Sequence, residues 1–140
     1  MMIRERERRQ IQEVFRAVTN PVKIAYFTQE FECDYCRETG ELLRELSGLS
    51  DKIALHVYNF QLDPEPVEQF RIDKIPATVI MGDKDYGIRF YGVPTGYEFA
   101  SLIEAVVDVS RGDSGLQPAT REKLRTVTEP AHLQVMVTPT

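Results

Sequence analysis

The two cysteines of this chain stand three residues apart, at 33 and 36, behind a run of β-branched and aromatic residues and at the head of a helical pattern. Cysteines at i and i+3 at a helix start lie on one face, within disulfide reach. The first faces the unsatisfied N–H groups and the positive end of the helix dipole, which favours thiolate over thiol. The second sits one turn inside, more buried and less able to ionise. That asymmetry divides the labour: Cys33 attacks a disulfide as thiolate, and Cys36 resolves the mixed disulfide. The strand expected just before them distinguishes this Cys-x-x-Cys from an isolated pair. Three other readings compete. Half a zinc site needs two further ligands, and only His56 and His132 remain, far away on other elements. Inert core cysteines conflict with the exposure of a helix N-terminus opening from a strand. An iron–sulfur site shared across a dimer has nothing in the sequence to favour it. No cofactor and no metal are expected.

Composition bounds the rest. A chain of 140 residues fits one ordinary domain with a little left over. With 42% hydrophobic and 28% charged residues it reads as globular rather than disordered or membrane-embedded. The net charge of −5 and the dispersed basic residues argue against nucleic acid as a partner. The densest basic run, Arg4 to Arg9, alternates with Glu5 and Glu7 and reads as a solvated helix. The N-terminus has no apolar signal region, and no run of ~18 apolar residues could span a bilayer. A cytoplasmic protein without membrane contact is therefore expected, and a cysteine pair in a reducing compartment has a chemical role more often than a structural one.

Ile11, Val14, Phe15 and Val18 fall at helical spacing and predict a helix over 3–18. The run 22–28 reads as a buried strand, 33–46 as a helix closed by Ser47-Gly48, and 53–59 as a second strand. A short helix follows Asp63-Pro64, then strands over 77–81 and 88–91 joined at Gly82-Asp83, then a helix over 97–109 stopped by Gly112. Strands joined through a helix should be parallel, and the last two form a hairpin. The tail predicts another helix over 119–127 and another strand over 133–137. Set against residues 13–27 at an offset of 109, it matches at Glu122, Arg125, Val127, Thr128 and Pro130. Those matches read as the start of a second copy of the same unit; the other reading is a C-terminal helix and strand that merely pack on the domain. The expected organisation is one unit over 1–112, a linker over 113–118, and the opening helix and strand of a second unit over 119–140.

Ile75-Pro76-Ala77 is the second signal. A proline before a buried strand cannot donate to the ladder, so it belongs at the strand's first position. Tyr35 reads as packing over the thiol pair, with a substrate contact as the other reading. Glu30, Glu32 and Asp34 make a negative rim, and Glu32 and Asp34 are candidates for tuning the Cys33 thiol. His56 falls on the opposite strand face from Ile53, Leu55 and Val57. Gly92 and Gly96 read as turn residues near a substrate groove.

Three stretches carry a resemblance: Tyr26-Phe-Thr-Gln-Glu-Phe-Glu-Cys-Asp-Tyr-Cys36, Phe70-Arg-Ile-Asp-Lys-Ile-Pro-Ala-Thr78, and Phe90-Tyr-Gly-Val-Pro-Thr-Gly-Tyr-Glu-Phe99. Through them the chain resembles the thioredoxin superfamily, and within it the two-unit glutaredoxin-like protein disulfide oxidoreductases of thermophilic archaea and bacteria. The resemblance implies an α/β thioredoxin-like fold, a central mixed sheet flanked by helices, with the start of a second such unit at the C-terminus. It implies dithiol exchange on protein disulfide substrates, with a thiol reductase as the other partner. Carried over, Cys33 is the nucleophile, Cys36 the resolving thiol, Pro76 a cis-proline, and Ile75-Pro76 the backbone edge that docks an extended substrate. The chain departs from the glutaredoxin-like Cys-Pro-Tyr-Cys in having Asp34 for proline, which bears on the redox potential. The second unit that the resemblance implies is expected to be cut off here, which bears on full activity. A peptide-binding module and an electron relay dedicated to one partner are the alternative functions.

Overall fold

The computed structural model describes residues 1–138. Its elements are α1 (Glu5–Phe15), β1 (Val22–Thr28), α2 (Cys36–Ser47), β2 (Ile53–Asn59), α3 (Pro64–Gln69), β3 (Ala77–Met81), β4 (Asp85–Tyr91), α4 (Tyr97–Arg111) and α5 (Pro118–Leu124). The four strands form one mixed sheet in the order β2-β1-β3-β4. β1 and β2 run parallel, and β3 lies antiparallel to both β1 and β4. That is the pairing expected from a helical crossover followed by a hairpin.

β1 is the central strand, and its composition explains why. Ile24, Ala25, Tyr26 and Phe27 are each at most 1% exposed, so neither face meets water. A strand covered on both faces loses the apolar–polar alternation and reads as a continuous apolar run. Ile24 and Tyr26 face the larger cluster, built with Phe15 of α1, Leu43 and Leu46 of α2, and Leu102 and Val106 of α4. Ala25 and Phe27 face a smaller cluster with Phe70, Ile72, Ala77 and Val79. Phe27 stacks on Tyr58 at 5.2 Å and meets Phe70 edge-on at 5.8 Å. Burying each such ring contributes about 2–3 kcal/mol.

Three expectations need correction. The helix predicted from residue 33 begins at Cys36, because Tyr35 caps it with non-helical angles, φ −111° and ψ 4°. The tail helix is α5, Pro118–Leu124, which starts and ends earlier than expected and buries no residue. The strand expected over 133–137 is not formed: 126–138 carries no helix or strand, and its residues are exposed. An apolar alternation makes a strand only where an edge is there to pair with it. The last two residues of the expected second unit, Pro139 and Thr140, lie outside the described residues. The first 112 residues close at Gly112, whose left-handed φ of 64° ends α4.

Candidate active site

The register gathers four chain segments at one end of the sheet. Thr28 ends β1 opposite Asn59, which ends β2. Phe27 pairs with Ala77 at the start of β3, and Ala77 pairs with Tyr91 at the end of β4. The loops carrying Cys33, Pro76 and Gly92 therefore leave the sheet side by side. The Ile75–Pro76 peptide is cis, and the Gly92 amide donates to the Pro76 carbonyl at 2.9 Å. Pro76 is buried and Ile75 half-buried.

Cys33 and Cys36 are joined as a disulfide, with their Cα atoms 5.5 Å apart. Cys33 is half-exposed and Cys36 is 3% exposed, so the two sulfurs differ in access. Cys36 is the first residue of α2, and Cys33 lies ahead of the helix proper. The turn between them is fixed at Tyr35, whose carbonyl accepts from the Thr39 amide at 3.0 Å and the Thr39 hydroxyl at 2.8 Å. No side chain caps this helix, so the amides of its first turn stay oriented toward the disulfide end. Glu32, immediately before the pair, takes the left-handed region at φ 56°. For a residue with a Cβ this conformation costs of order 1 kcal/mol, and it re-aims the chain just ahead of Cys33.

The other expected site residues surround the pair unequally. Glu30, Glu32 and Asp34 are exposed. Tyr35 is 57% exposed and Phe31 74% exposed. Much of the Tyr35 ring thus meets solvent. His56 is exposed on the edge strand β2. Among the described residues the buried polar ones are Thr39, Thr78 and Ser110, with no carboxylate or amine among them. No buried ionisable side chain of those kinds therefore backs the disulfide.

Sequence reasoning misses one residue of this neighbourhood. Tyr26 reads only as part of a buried strand, yet its hydroxyl donates to the main-chain carbonyl of Cys36. Burial pushes the Tyr26 phenol above its ordinary range, against opposite pulls from the Thr28 hydroxyl, Arg44 and the Gly40 amide. The signal is there: a tyrosine within an apolar core strand needs a partner for its hydroxyl. What the sequence lacks is the partner's address.

A shallow cleft of about 500 Å³ lies at the other end of the molecule, between Tyr86, Ile88, Val109, Gly112 and Arg121. It is remote from the disulfide. Among the described residues no helix is long and apolar enough to cross a membrane, and no group of three or more His, Cys, Asp and Glu is placed to hold a metal ion.

The fold matches known proteins. Over 90% of its length the chain superposes on the F subunit of alkyl hydroperoxide reductase from Enterococcus faecalis, with TM-score 0.80 and 26% identity, covering 61% of that chain. A protein disulfide oxidoreductase of Aeropyrum pernix superposes over 91% of this chain and 56% of its own, with TM-score 0.79 and 26% identity. The chain belongs to the thioredoxin superfamily. In sequence, the chain is 29% identical over 118 residues to the F subunit of alkyl hydroperoxide reductase from Pseudomonas aeruginosa, covering 83% of this chain. It spans only 20% of that relative's length. No family model matches the chain.

Proposed function

We propose that this chain exchanges dithiols and disulfides with protein substrates, Cys33 being the attacking thiol and Cys36 the resolving one. The observation that carries the reading is the disulfide between a half-exposed Cys33 and a buried Cys36 at the sheet end that also holds the cis-proline. In the reducing direction, the Cys33 thiolate attacks one sulfur of a substrate disulfide. A Cys33–substrate disulfide forms, and the other substrate sulfur leaves as a thiolate that takes up a proton. Cys36, having lost its proton to solvent or to that leaving sulfur, then attacks Cys33 Sγ. The Cys33–Cys36 disulfide forms and the second substrate thiolate departs. Two electrons pass from the dithiol to the substrate, and a thiol reductase returns them. Ile75-Pro76 offers backbone to an extended substrate segment, and Tyr35 offers an exposed ring beside it. Glu32 and Asp34 oppose the thiolate by charge.

A second reading, an electron relay dedicated to one partner, is favoured by the likeness to the F subunit of alkyl hydroperoxide reductase. Insulin reduction separates the two. A general oxidoreductase turns insulin over and loses that activity in Cys33→Ser, whereas a dedicated relay is slow with insulin at any concentration. Alkylation at neutral pH after reduction tests the roles: label mainly on Cys36 would reverse them.

We also read residues 1–112 as one thioredoxin-like unit with the Cys-x-x-Cys and 119–140 as the opening helix and strand of a second, with 113–118 as the linker between them. The internal matches at offset 109 support that division. A cytoplasmic location fits the use of a single cysteine pair.

A further inference from the structure

The disulfide ties Cys36 to Cys33 only in the oxidised state. In the dithiol and in the mixed disulfide that bond is absent, and the resolving sulfur must be kept within reach by other means. The geometry points to Tyr26 as the positioning residue that does this, its hydroxyl holding the Cys36 main chain to the central strand through the whole redox cycle. The inference rests on the exchange reading above and adds to it a residue outside the Cys-x-x-Cys and the cis-proline.

Three observations carry it. The Tyr26 side chain is 1% exposed in the middle of β1, so its phenol is fixed by the core on all sides. Its O–H donates to the carbonyl of Cys36, the first residue of α2, so the bond acts where the helix begins. A main-chain carbonyl has two lone pairs and can accept this bond besides its helical one. Finally, the helix leaves room for the ring: a Cβ at Gly40 would stand 3.2 Å from Tyr26 Cε1 and 3.8 Å from its hydroxyl oxygen. The glycine lets the phenol pass close under the first turn.

The consequence falls on one step. Attack by Cys33 depends on its own access and ionisation, which Tyr26 does not touch. Resolution depends on how often Cys36 Sγ lies in line with the Cys33–substrate bond, and loosening the first turn lowers that fraction. Tyr26→Phe keeps the ring and removes the bond. In single turnover with a disulfide peptide, its mixed disulfide should persist about fivefold longer than in the unaltered protein, the rate equivalent of one hydrogen bond. Cys33 alkylation should stay within about twofold. A mixed disulfide that resolves at the unaltered rate would overturn the inference, as would an equal slowing of both steps, which marks a general loss of structure.

A second measurement needs no variant. A slowly exchanging Tyr26 hydroxyl proton should be visible by nuclear magnetic resonance in both the disulfide and the dithiol forms. Its loss on reduction would show that the bond lapses when it is needed, and would also overturn the inference. If the unaltered protein forms no mixed disulfide with any peptide, the exchange reading fails instead, and the resonance experiment still reads the tether by itself.

Discussion

At the level of single residues, the proposed exchange makes the charges around Cys33 a testable influence on the redox poise. Asp34 sits between the cysteines and Glu32 immediately before them, both exposed. One carboxylate at ~6 Å disfavours a thiolate by about 2–3 kcal/mol at an effective dielectric of ~20, before water and salt screen it. Exposure leaves about 0.2–1 kcal/mol of that. The helix end offsets it with about 0.3–1 kcal/mol. The potential is thus expected in the reducing range of about −200 to −270 mV. Asp34→Pro should make the pair more oxidising by about 10–20 mV in a glutathione titration, and an unchanged or more reducing variant would show that the rim charge does not act on the pair. Thr78 offers a different test. It is fully buried and its hydroxyl has no hydrogen-bond partner. Thr78→Val keeps the branched shape and removes an unsatisfied group, so the urea midpoint should rise by the equivalent of about 1 kcal/mol. The cysteine pair is legible in the sequence from residue type and spacing, whereas Pro76 alone reads only as a strand entry and its place beside the pair comes from the resemblance. Glu32 is not legible: a glutamate carries no local signal for a left-handed turn. Tyr26 is readable as buried, but its partner lies ten residues away across a loop.

Among the elements, the central strands are legible because buried runs end abruptly. β1 begins after Pro21 and β3 after Pro76, where the missing N–H and the restricted angles stop the preceding segment. The start of α2 reads three residues early because its cap, Tyr35, is not one of the residues that announce a helix. A contact invisible in the sequence joins two elements. Glu45 of α2 accepts the Met2 amide at 2.6 Å, the Ile3 amide at 3.0 Å and the Arg8 guanidinium at 3.2 Å. It thereby holds the segment before α1 against α2, with Ile3 2% exposed beneath. Burial pushes the Glu45 carboxyl up, but the two amides, the N-terminal ammonium and Arg8 together outweigh it and hold it below the usual carboxylate range. A lowered folded-state value means that stability is present above the unfolded carboxylate range, near about pH 4, and is lost as pH falls through the folded value. Urea midpoints measured from about pH 6 to about pH 3 should fall, and Glu45→Gln should be less stable at the upper end with a flatter fall. Equal slopes in the two proteins would show that the contact contributes nothing to acid sensitivity.

Across the whole molecule, stability resides in the first 112 residues. Beyond Arg111 every described residue is exposed, and α5 is held by Arg121, which pairs with Asp113 and donates to the Leu116 carbonyl at 2.9 Å. Exposed pairs of that kind contribute little, because water screens both charges. A chain ending at Ser114 should therefore unfold at the same urea midpoint, within about 0.5 kcal/mol, and with nearly the same slope. A large loss would show that the tail belongs to the core formed by residues 1–112. The sheet's layout has a further consequence. The 15-residue α4 starts beside the Gly92 loop and ends where Asn20 donates to the Ser110 carbonyl, at the far end of the sheet. Its length is about 22 Å. The residues 113–117 that follow can span at most ~18 Å even when fully stretched. Residues 113–117 alone are thus too short a lead to carry Pro118, and the helix that starts there, back along α4 to the end of the sheet that holds Cys33.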